Sequence, residues 1–294
     1  MPELPEVETI ARGLAKRVAG DVIESVWLGS KPEPLKSPAT EIAATLESKR
    51  IQSVGRMGKH IVFDLHDAGY PPSARSAHPK SKSRVTAART KTASSHAQWI
   101  VHLGMTGRME VCSPGAEIAK HTHAILRLAS GRELRFVDPR RFGRLSVVRN
   151  GDFEAGGFEP LDVELENFTR LFRGRKTPIK SALLNQKLLR GVGNIYADEA
   201  LFRAGIRPRR RAASLTQEQL AKLLAAIKEV LKEAIALGGS SISDYVDADG
   251  EEGFFQLQHR VYGREGEPCV VCKTPVKRVV IAGRSSHYCP ACQK

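Results

Sequence analysis

The chain has 294 residues, 41% hydrophobic and 27% charged, enough for two domains with cores of their own and too apolar for a disordered chain. Lysine and arginine outnumber aspartate and glutamate by 46 to 32, and the net charge of +14 implies a polyanionic partner, either nucleic acid or an anionic membrane surface. No apolar run approaches the ~20 residues of a membrane helix, and the first residues are acidic where a secretory leader is basic and then apolar, so a cytoplasmic location is expected.

The chain opens Met1-Pro2-Glu3-Leu4-Pro5-Glu6-Val7-Glu8. A small residue at position 2 favours removal of Met1, which would leave Pro2 as a free secondary amine next to the Glu3 carboxylate. Val7, Ile10, Ala11, Leu14 and Val18 recur at helical spacing and predict one amphipathic helix that anchors this terminus.

From Val22 to Val148 the pattern is mostly β. Strands are predicted over Val22–Leu28, Ile51–Arg56, His60–His66, Gln98–Leu103, Arg108–Val111, His123–Leu128, Glu133–Val137 and Arg144–Val148, with a short helix near Glu41–Leu46. Many short strands with glycine turns predict a sandwich or barrel. Residues 67–97 break the rhythm with six Lys/Arg against one Asp, and read as a flexible basic insertion between paired strands. Two turns in this region expose apolar residues among cations. Leu103-Gly104-Met105-Thr106-Gly107 puts Met105 between glycines, and Asp138-Pro139-Arg140-Arg141-Phe142-Gly143 puts two arginines beside a phenylalanine. Apolar wedges next to arginines are the means by which proteins hold open an unstacked step of a duplex.

Asn150–Pro160, with three glycines, three acids and a proline, suits a hinge. Beyond it the pattern is helical. Leu183–Ala200 reads as helix, glycine-bounded turn and helix; Asn194, at the start of the second helix, could cap that helix or hold a phosphate, or do both. Thr216-Gln217-Glu218-Gln219 has the form of a capping box ahead of a long helix with the stripe Leu220, Leu223, Leu224, Ile227, Val230, Leu231 and Ile235, ended by Gly238-Gly239.

The chain closes with Cys269-x2-Cys272, sixteen residues, and Cys289-x2-Cys292. Four thiolates at this spacing predict one closed tetrahedral zinc site, structural because it leaves no position for substrate. Between the pairs, Lys273, Lys277, Arg278 and Arg284 lie on a predicted β-hairpin that can present an arginine to a phosphate. The fifth cysteine, Cys112, is expected in the core.

Six ordered motifs, namely Pro2–Glu8, Arg56-Met57-Gly58-Lys59, the Met105 loop, the Asp138–Gly143 turn, Gln186–Glu199 and the cysteine hairpin, make the chain resemble the bacterial formamidopyrimidine-DNA glycosylases over all but the insertion. The resemblance implies an α+β, multidomain protein. It would comprise an N-terminal helix and β-sandwich catalytic domain over 1–150, a hinge at 151–160, a helix–two-turn–helix domain over 161–253 and a β-hairpin zinc finger over 254–294. It implies excision of oxidised purines from double-stranded DNA by a monomer, followed by strand cleavage, with no catalytic metal or redox cofactor. Pro2 would be the nucleophile, Glu3 the acid/base, and Lys59 would reach the lesion and a neighbouring phosphate. Met105, Arg140 and Phe142 would fill the gap left by the flipped nucleotide, with Arg141 beside them. Asn194 and Arg284 would hold phosphates, Glu6 would orient the flipped base, and Gly238–Phe255 would include a loop covering it.

Three rivals are weighed against this. An enzyme resembling endonuclease VIII would prefer oxidised pyrimidines, but Leu4 and Arg140-Arg141-Phe142 favour purines. A catalytically silent DNA-binding protein would lack Pro2 or Glu3, or retain Met1. A membrane-surface protein would need a basic amphipathic helix with an aromatic face, and none appears.

Overall fold

The computed structural model describes residues 1–69, 96–240 and 253–294. Most of the predicted insertion and of the predicted loop over the base (70–95 and 241–252) therefore lies outside the described residues. The chain divides into two compact units. One comprises Met1–Ile10, Arg56–His60 and Glu154–Lys294, and the other Ala11–Gly55 and Ile61–Phe153. The first ten residues and a five-residue tip thus group with the C-terminal half rather than with the strands around them.

The second unit is built from two four-stranded sheets. One has the order β1-β6-β7-β5, from β1 (Ile23–Leu28), β5 (Arg108–Cys112), β6 (Thr122–Leu128) and β7 (Glu133–Val137). The other runs β2-β3-β4-β8, from β2 (Lys49–Met57), β3 (His60–Asp67), β4 (Ala97–His102) and β8 (Arg144–Arg149). Alternation in the sequence locates every one of these strands to within about two residues, because one face of each must be buried. Phe63, Trp99, Leu126 and Phe136 are among the buried side chains, and the rings of Phe63 and Trp99 meet at 4.8 Å between centroids. Cys112, expected in the core, is only half-buried at the end of β5. Helix α1 (Leu4–Val18) enters this unit, and α2 (Ala39–Leu46) lies where a short helix was expected.

The first unit is helical, with α3 (Leu165–Phe172), α4 (Ile179–Leu183), α5 (Asn194–Arg203) and α6 (Gln217–Ala236), followed by the hairpin β9 (Lys277–Ile281) and β10 (Arg284–Tyr288). Thr216 and Gln219 form the predicted capping box, each side chain accepting from the other's backbone N–H. The predicted helix ahead of the glycine turn is displaced. α4 ends at Leu183, and the backbone from Leu184 to Gly193 is non-helical until α5 begins. Gln186 explains this: its side chain donates to Leu184 O and Val192 O and accepts from Gly191 N, so it ties the turn to itself.

One apolar cluster fills this unit, running from Phe168 and Phe172 through Ile179, Leu183, Val192, Ala197 and Leu201 to Leu223, Ile227 and Val230. Leu4 belongs to it as well, fully buried. A second, smaller cluster joins Phe202 to Val261, Val276, Cys269 and Cys289.

Candidate active site

Burying Leu4 fixes the chain terminus. Leu4 N donates to Gly191 O at 3.0 Å, and Gly191 has φ +92 with Leu4 atoms 2.8 Å from where a Cβ would stand, so only glycine fits there. Met1 is left 54% exposed and Pro2 half-buried, while Glu3 is held inside at 4% exposure.

The Glu3 carboxylate sits at the N-terminus of α5, where Oε1 accepts from Ile195 N at 3.1 Å. A Cβ on Gly193 would fall onto this carboxylate, so the second glycine of the Gly191-Val192-Gly193 turn is needed for close approach. The free N–H groups of a helix start, together with its dipole, favour an anion; here that anion is Glu3 itself. Burial nevertheless pushes the Glu3 carboxyl above its ordinary value, with the Lys59 ammonium and the α5 amides pulling the other way and Glu6 adding to the rise. Oε2 is buried and makes no hydrogen bond among the described residues.

Lys59 lies at the tip between β2 and β3, buried to 7% exposure. Burial lowers its pKa, Glu3 and Glu6 oppose that shift, and Arg284 reinforces it. The tip is pinned by Glu159, which accepts from Gly58 N at 2.7 Å, Arg190 Nε at 3.0 Å and Arg56 Nη1 at 3.0 Å, while Arg56 Nε donates to Glu8 at 2.8 Å. One half-buried carboxylate therefore gathers Arg56, Gly58 and Arg190 around the chain just ahead of Lys59.

Glu6, expected beside the substrate base, spends both oxygens on the protein. Oε2 accepts from Glu3 N at 2.7 Å, and Oε1 accepts from Tyr196 Oη and from Ser240 N at 2.8 Å. Its contacts hold the backbone of Glu3 and the chain at Ser240, just ahead of 241–252. The other end of that segment is tied back, Phe254 N donating to Leu237 O and Phe255 N to Gly239 O, each at 2.9 Å.

Of the two readings of Asn194, the cap is not realised: Gly193 is the N-cap, and the Ile195 amide of the first turn is taken by Glu3. Asn194 Nδ2 instead lies 3.4 Å from Ser285 Oγ on β10, and Oδ1 is buried with no hydrogen-bond partner among the described residues. Arg284 is exposed at the start of β10.

Sequence reasoning missed what holds this hairpin. Lys180 is fully buried, its ammonium 2.6 Å from Asp198 Oδ1 and 2.7 Å from Ser285 O, while Asp198 Oδ2 accepts from His287 N at 2.8 Å. The next residue, Glu199, accepts from the amides of Arg260, Val261 and Tyr262 at 2.9–3.1 Å. The run Asp198-Glu199 in a helix otherwise destined for the core was the one available signal, since buried acids need partners.

The four cysteine sulfurs all lie within 4.8 Å of one another, with Cys269–Cys292 at 3.9 Å and Cys272–Cys289 at 3.4 Å. Bonds of ~2.3 Å to a tetrahedral zinc would set sulfurs ~3.8 Å apart, so the donor set fits one ion with no place left for substrate. Amides of Val271 and Cys292 point at sulfurs, as thiolates require, and buried Gln293 locks the second knuckle by accepting from Cys289 N and donating to Ile206 O.

In the second unit the two expected wedge turns are neighbours. Met105 is 44% and Phe142 49% exposed, and the Arg140 guanidinium lies 4.9 Å over the Phe142 ring. Asp138, fully buried, accepts from Thr106 Oγ1 at 2.6 Å and Arg140 N at 3.2 Å through Oδ1, and from Gly143 N at 2.7 Å through Oδ2. It makes the two tips one object. Arg141 turns aside with φ +57 and pairs with Glu33 at 3.3 Å.

Comparison with known proteins agrees with this layout. Family models match for the formamidopyrimidine-DNA glycosylase N-terminal domain over residues 1–145, its helix–two-turn–helix domain over 157–246, and the zinc finger found in these enzymes and in isoleucyl-tRNA synthetases over 266–294. The formamidopyrimidine-DNA glycosylase of Solibacter usitatus is 43% identical over 302 residues, covering 100% of both chains. The crystal structure of the Thermus thermophilus MutM (Fpg) protein, 42% identical, superposes with a TM-score of 0.80 over 99% of this chain and 98% of that one. The Lactococcus lactis enzyme in complex with DNA containing a formamidopyrimidine lesion, 30% identical, gives 0.82 over 99% and 100%.

Proposed function

The chain belongs to the formamidopyrimidine-DNA glycosylase family, and from that premise we propose that it removes oxidised purines from duplex DNA and then cleaves the strand, acting as a monomer through a covalent intermediate on Pro2. One observation carries this reading: a buried carboxylate, Glu3, sits at a helix N-terminus next to Lys59, one residue from a half-buried Pro2 whose preceding Met1 is exposed for removal.

A free α-amine titrates near ~8, well below a lysine, so a useful fraction is neutral at physiological pH. The neutral Pro2 nitrogen attacks C1′ of the damaged nucleotide, its C–N bond forms as the glycosidic bond breaks, and the base leaves with a proton. Ring opening gives an iminium between Pro2 and C1′. Glu3, its carboxyl raised by burial and one oxygen unengaged, supplies and removes the protons of the sugar. The iminium acidifies C2′, whose proton departs as the 3′ phosphate is eliminated; a second elimination releases the 5′ phosphate. Water then returns the amine.

Lys59 and Arg284 are the cations for the flanking phosphates, with Asn194 beside them on α5. The zinc ion, bound by the four cysteines, supplies folding energy to the hairpin that carries Arg284. Met105, Arg140 and Phe142, joined through Asp138, are the wedge that fills the space of the extruded nucleotide. Leu4 and the Arg140-Arg141-Phe142 turn are the sequence features that favour purines over the pyrimidines of the endonuclease VIII-like rival.

The test is product analysis on a duplex with a single 8-oxoguanine opposite cytosine. The expected products are the free base and a one-nucleotide gap with phosphate at both ends. An intact strand with an abasic site would remove the lyase step, and no release of base would remove the glycosylase reading.

A further inference from the structure

We propose that the helical unit carries a second phosphate-binding face, remote from the reacting nucleotide, which grips the backbone of duplex DNA along its flank. It rests on the reading of the chain as a DNA glycosylase. The face is made by two segments, 173–176 and 207–211, that lie far apart in the sequence and side by side in the fold. Ala213 N donates to Arg175 O at 2.9 Å, Ala212 N to Thr177 O at 3.0 Å and Ile179 N to Arg210 O at 2.7 Å, with an antiparallel bridge between Pro178 and Arg211. Together they bring seven cations into one place, half the magnitude of the chain's net charge of +14, and no acid occurs in 173–181 or 204–215.

These charges are uncompensated. Neighbouring Arg170 and Arg203 each have a carboxylate, Glu166 and Glu233, at 2.6 Å. Among the described residues, none of the seven does. Four of them are fixed by neutral acceptors: Arg175 by Leu171 O at 2.6 Å, Arg207 by Gln293 O at 2.9 Å, Arg209 by Val280 O at 3.2 Å and Arg210 by Ser214 O at 3.2 Å. Carbonyls orient a guanidinium without cancelling its charge. Arg173, Lys176 and Arg211 are exposed and have no side-chain hydrogen bond. Like charges on adjoining segments repel one another over the ~8 Å Debye length, and a polyanion relieves that cost.

Placement decides which part of the partner is held. The ten residues of α5 start at the Glu3 carboxylate and end just before the 207–211 segment, with Ile206 N donating to Leu201 O. At 1.5 Å per residue that separates the face from Glu3 by ~15 Å, the rise of about four base pairs at ~3.4 Å each. The face therefore reads no base and adds sequence-independent grip.

The triple variant Arg173→Gln, Lys176→Gln, Arg211→Gln tests this in the full-length zinc-loaded chain. Binding to a hairpin duplex of ~6 base pairs and to a duplex of ~30, each with the lesion at its centre so that only the longer one spans ~15 Å from Glu3, would be measured over a salt series, with single-turnover excision alongside. On the longer duplex, the slope of log affinity against log salt should flatten by up to ~2.7, about 0.9 for each phosphate that is no longer neutralised. On the shorter duplex, and in the excision rate at saturating enzyme, variant and wild type should agree. Equal slopes on the longer duplex would overturn the face, and an equal loss on both duplexes would place these residues at the lesion instead. Loss of binding to a poly-glutamate probe, with DNA binding untouched, would assign the face to an acidic protein and also overturn the proposal. If neither protein excises the lesion, the enzymatic reading fails while the salt slopes still decide on the face.

Discussion

The start and the middle of α5 hold buried carboxylates in opposite ways. At the start, Glu3 has one oxygen on Ile195 N and the other without a hydrogen bond among the described residues, with a lysine of lowered pKa beside it. One turn on, Asp198 has the ammonium of Lys180 at 2.6 Å from one oxygen and the His287 amide on the other, and Glu199 has three backbone amides. Burial raises the pKa of both Glu3 and Glu199, but only Glu199 receives a complete set of donors against that shift. Glu199, which ties the chain at 260–262, is given three donors. Glu3, with one oxygen unengaged among the described residues, remains costly to ionise, as the proposed role of moving protons requires.

The sharpest way to break this comparison is to neutralise each acid in turn. Glu3→Gln should slow base excision by ~10²–10⁴-fold and leave DNA affinity within a factor of about two, since the amide still accepts from the helix start. Full turnover by that variant would end the distinction. Glu199→Ala should do the reverse. Three backbone amides lose their acceptor at about 1–3 kcal/mol each, so a loss of ~3 kcal/mol or more is expected in denaturant unfolding, together with easier removal of zinc by a chelator. A Glu199→Ala protein as stable as wild type would show that the donors are not what Glu199 supplies.

The smallest effect is the most diagnostic. Because the folded-state pKa of Glu3 is raised from 4.5, its contribution to stability is present at low pH and lost as pH rises through the folded value. Lys59 is lowered from 10.5, so its contribution is present at high pH and lost as pH falls through its folded value. Glu3→Gln removes the first penalty. Its melting temperature should match wild type in acid and exceed it progressively as pH rises above the carboxylate range. A gap that narrows with rising pH would mean that Glu3 is stabilised, not strained, by its site.

Local signals account for what was legible in the sequence. Each strand betrays itself by alternation, the capping box at Thr216–Gln219 is four adjacent residues, and the zinc site is a spacing. The exposure of Met105 and Phe142 on neighbouring turns was also legible, because an apolar residue set between glycines or beside arginines is unusual in itself. The rest depends on partners distant in the chain. Glu3 meets the helix start 192 residues away, Lys180 reaches Ser285 across 105, and Glu159 gathers Gly58 across 101. No periodicity announces such pairs. Helix α4 was misplaced because five residues are too few to show a helical stripe, and Gln186 imposes the turn through side-chain bonds that have no pattern. Asn194 could not be settled from sequence because a helix start accommodates a capping side chain and an anion equally well, and the anion turned out to be Glu3.

The central claim is that this architecture presents Pro2 as the nucleophile with Glu3 as its proton carrier. Borohydride trapping on an 8-oxoguanine duplex, followed by peptide mapping of the cross-link, tests it most directly. The account predicts a single adduct on the nitrogen of Pro2 in a chain that has lost Met1. An adduct on Lys59 or any other lysine, or full turnover by a chain that retains Met1, would contradict it.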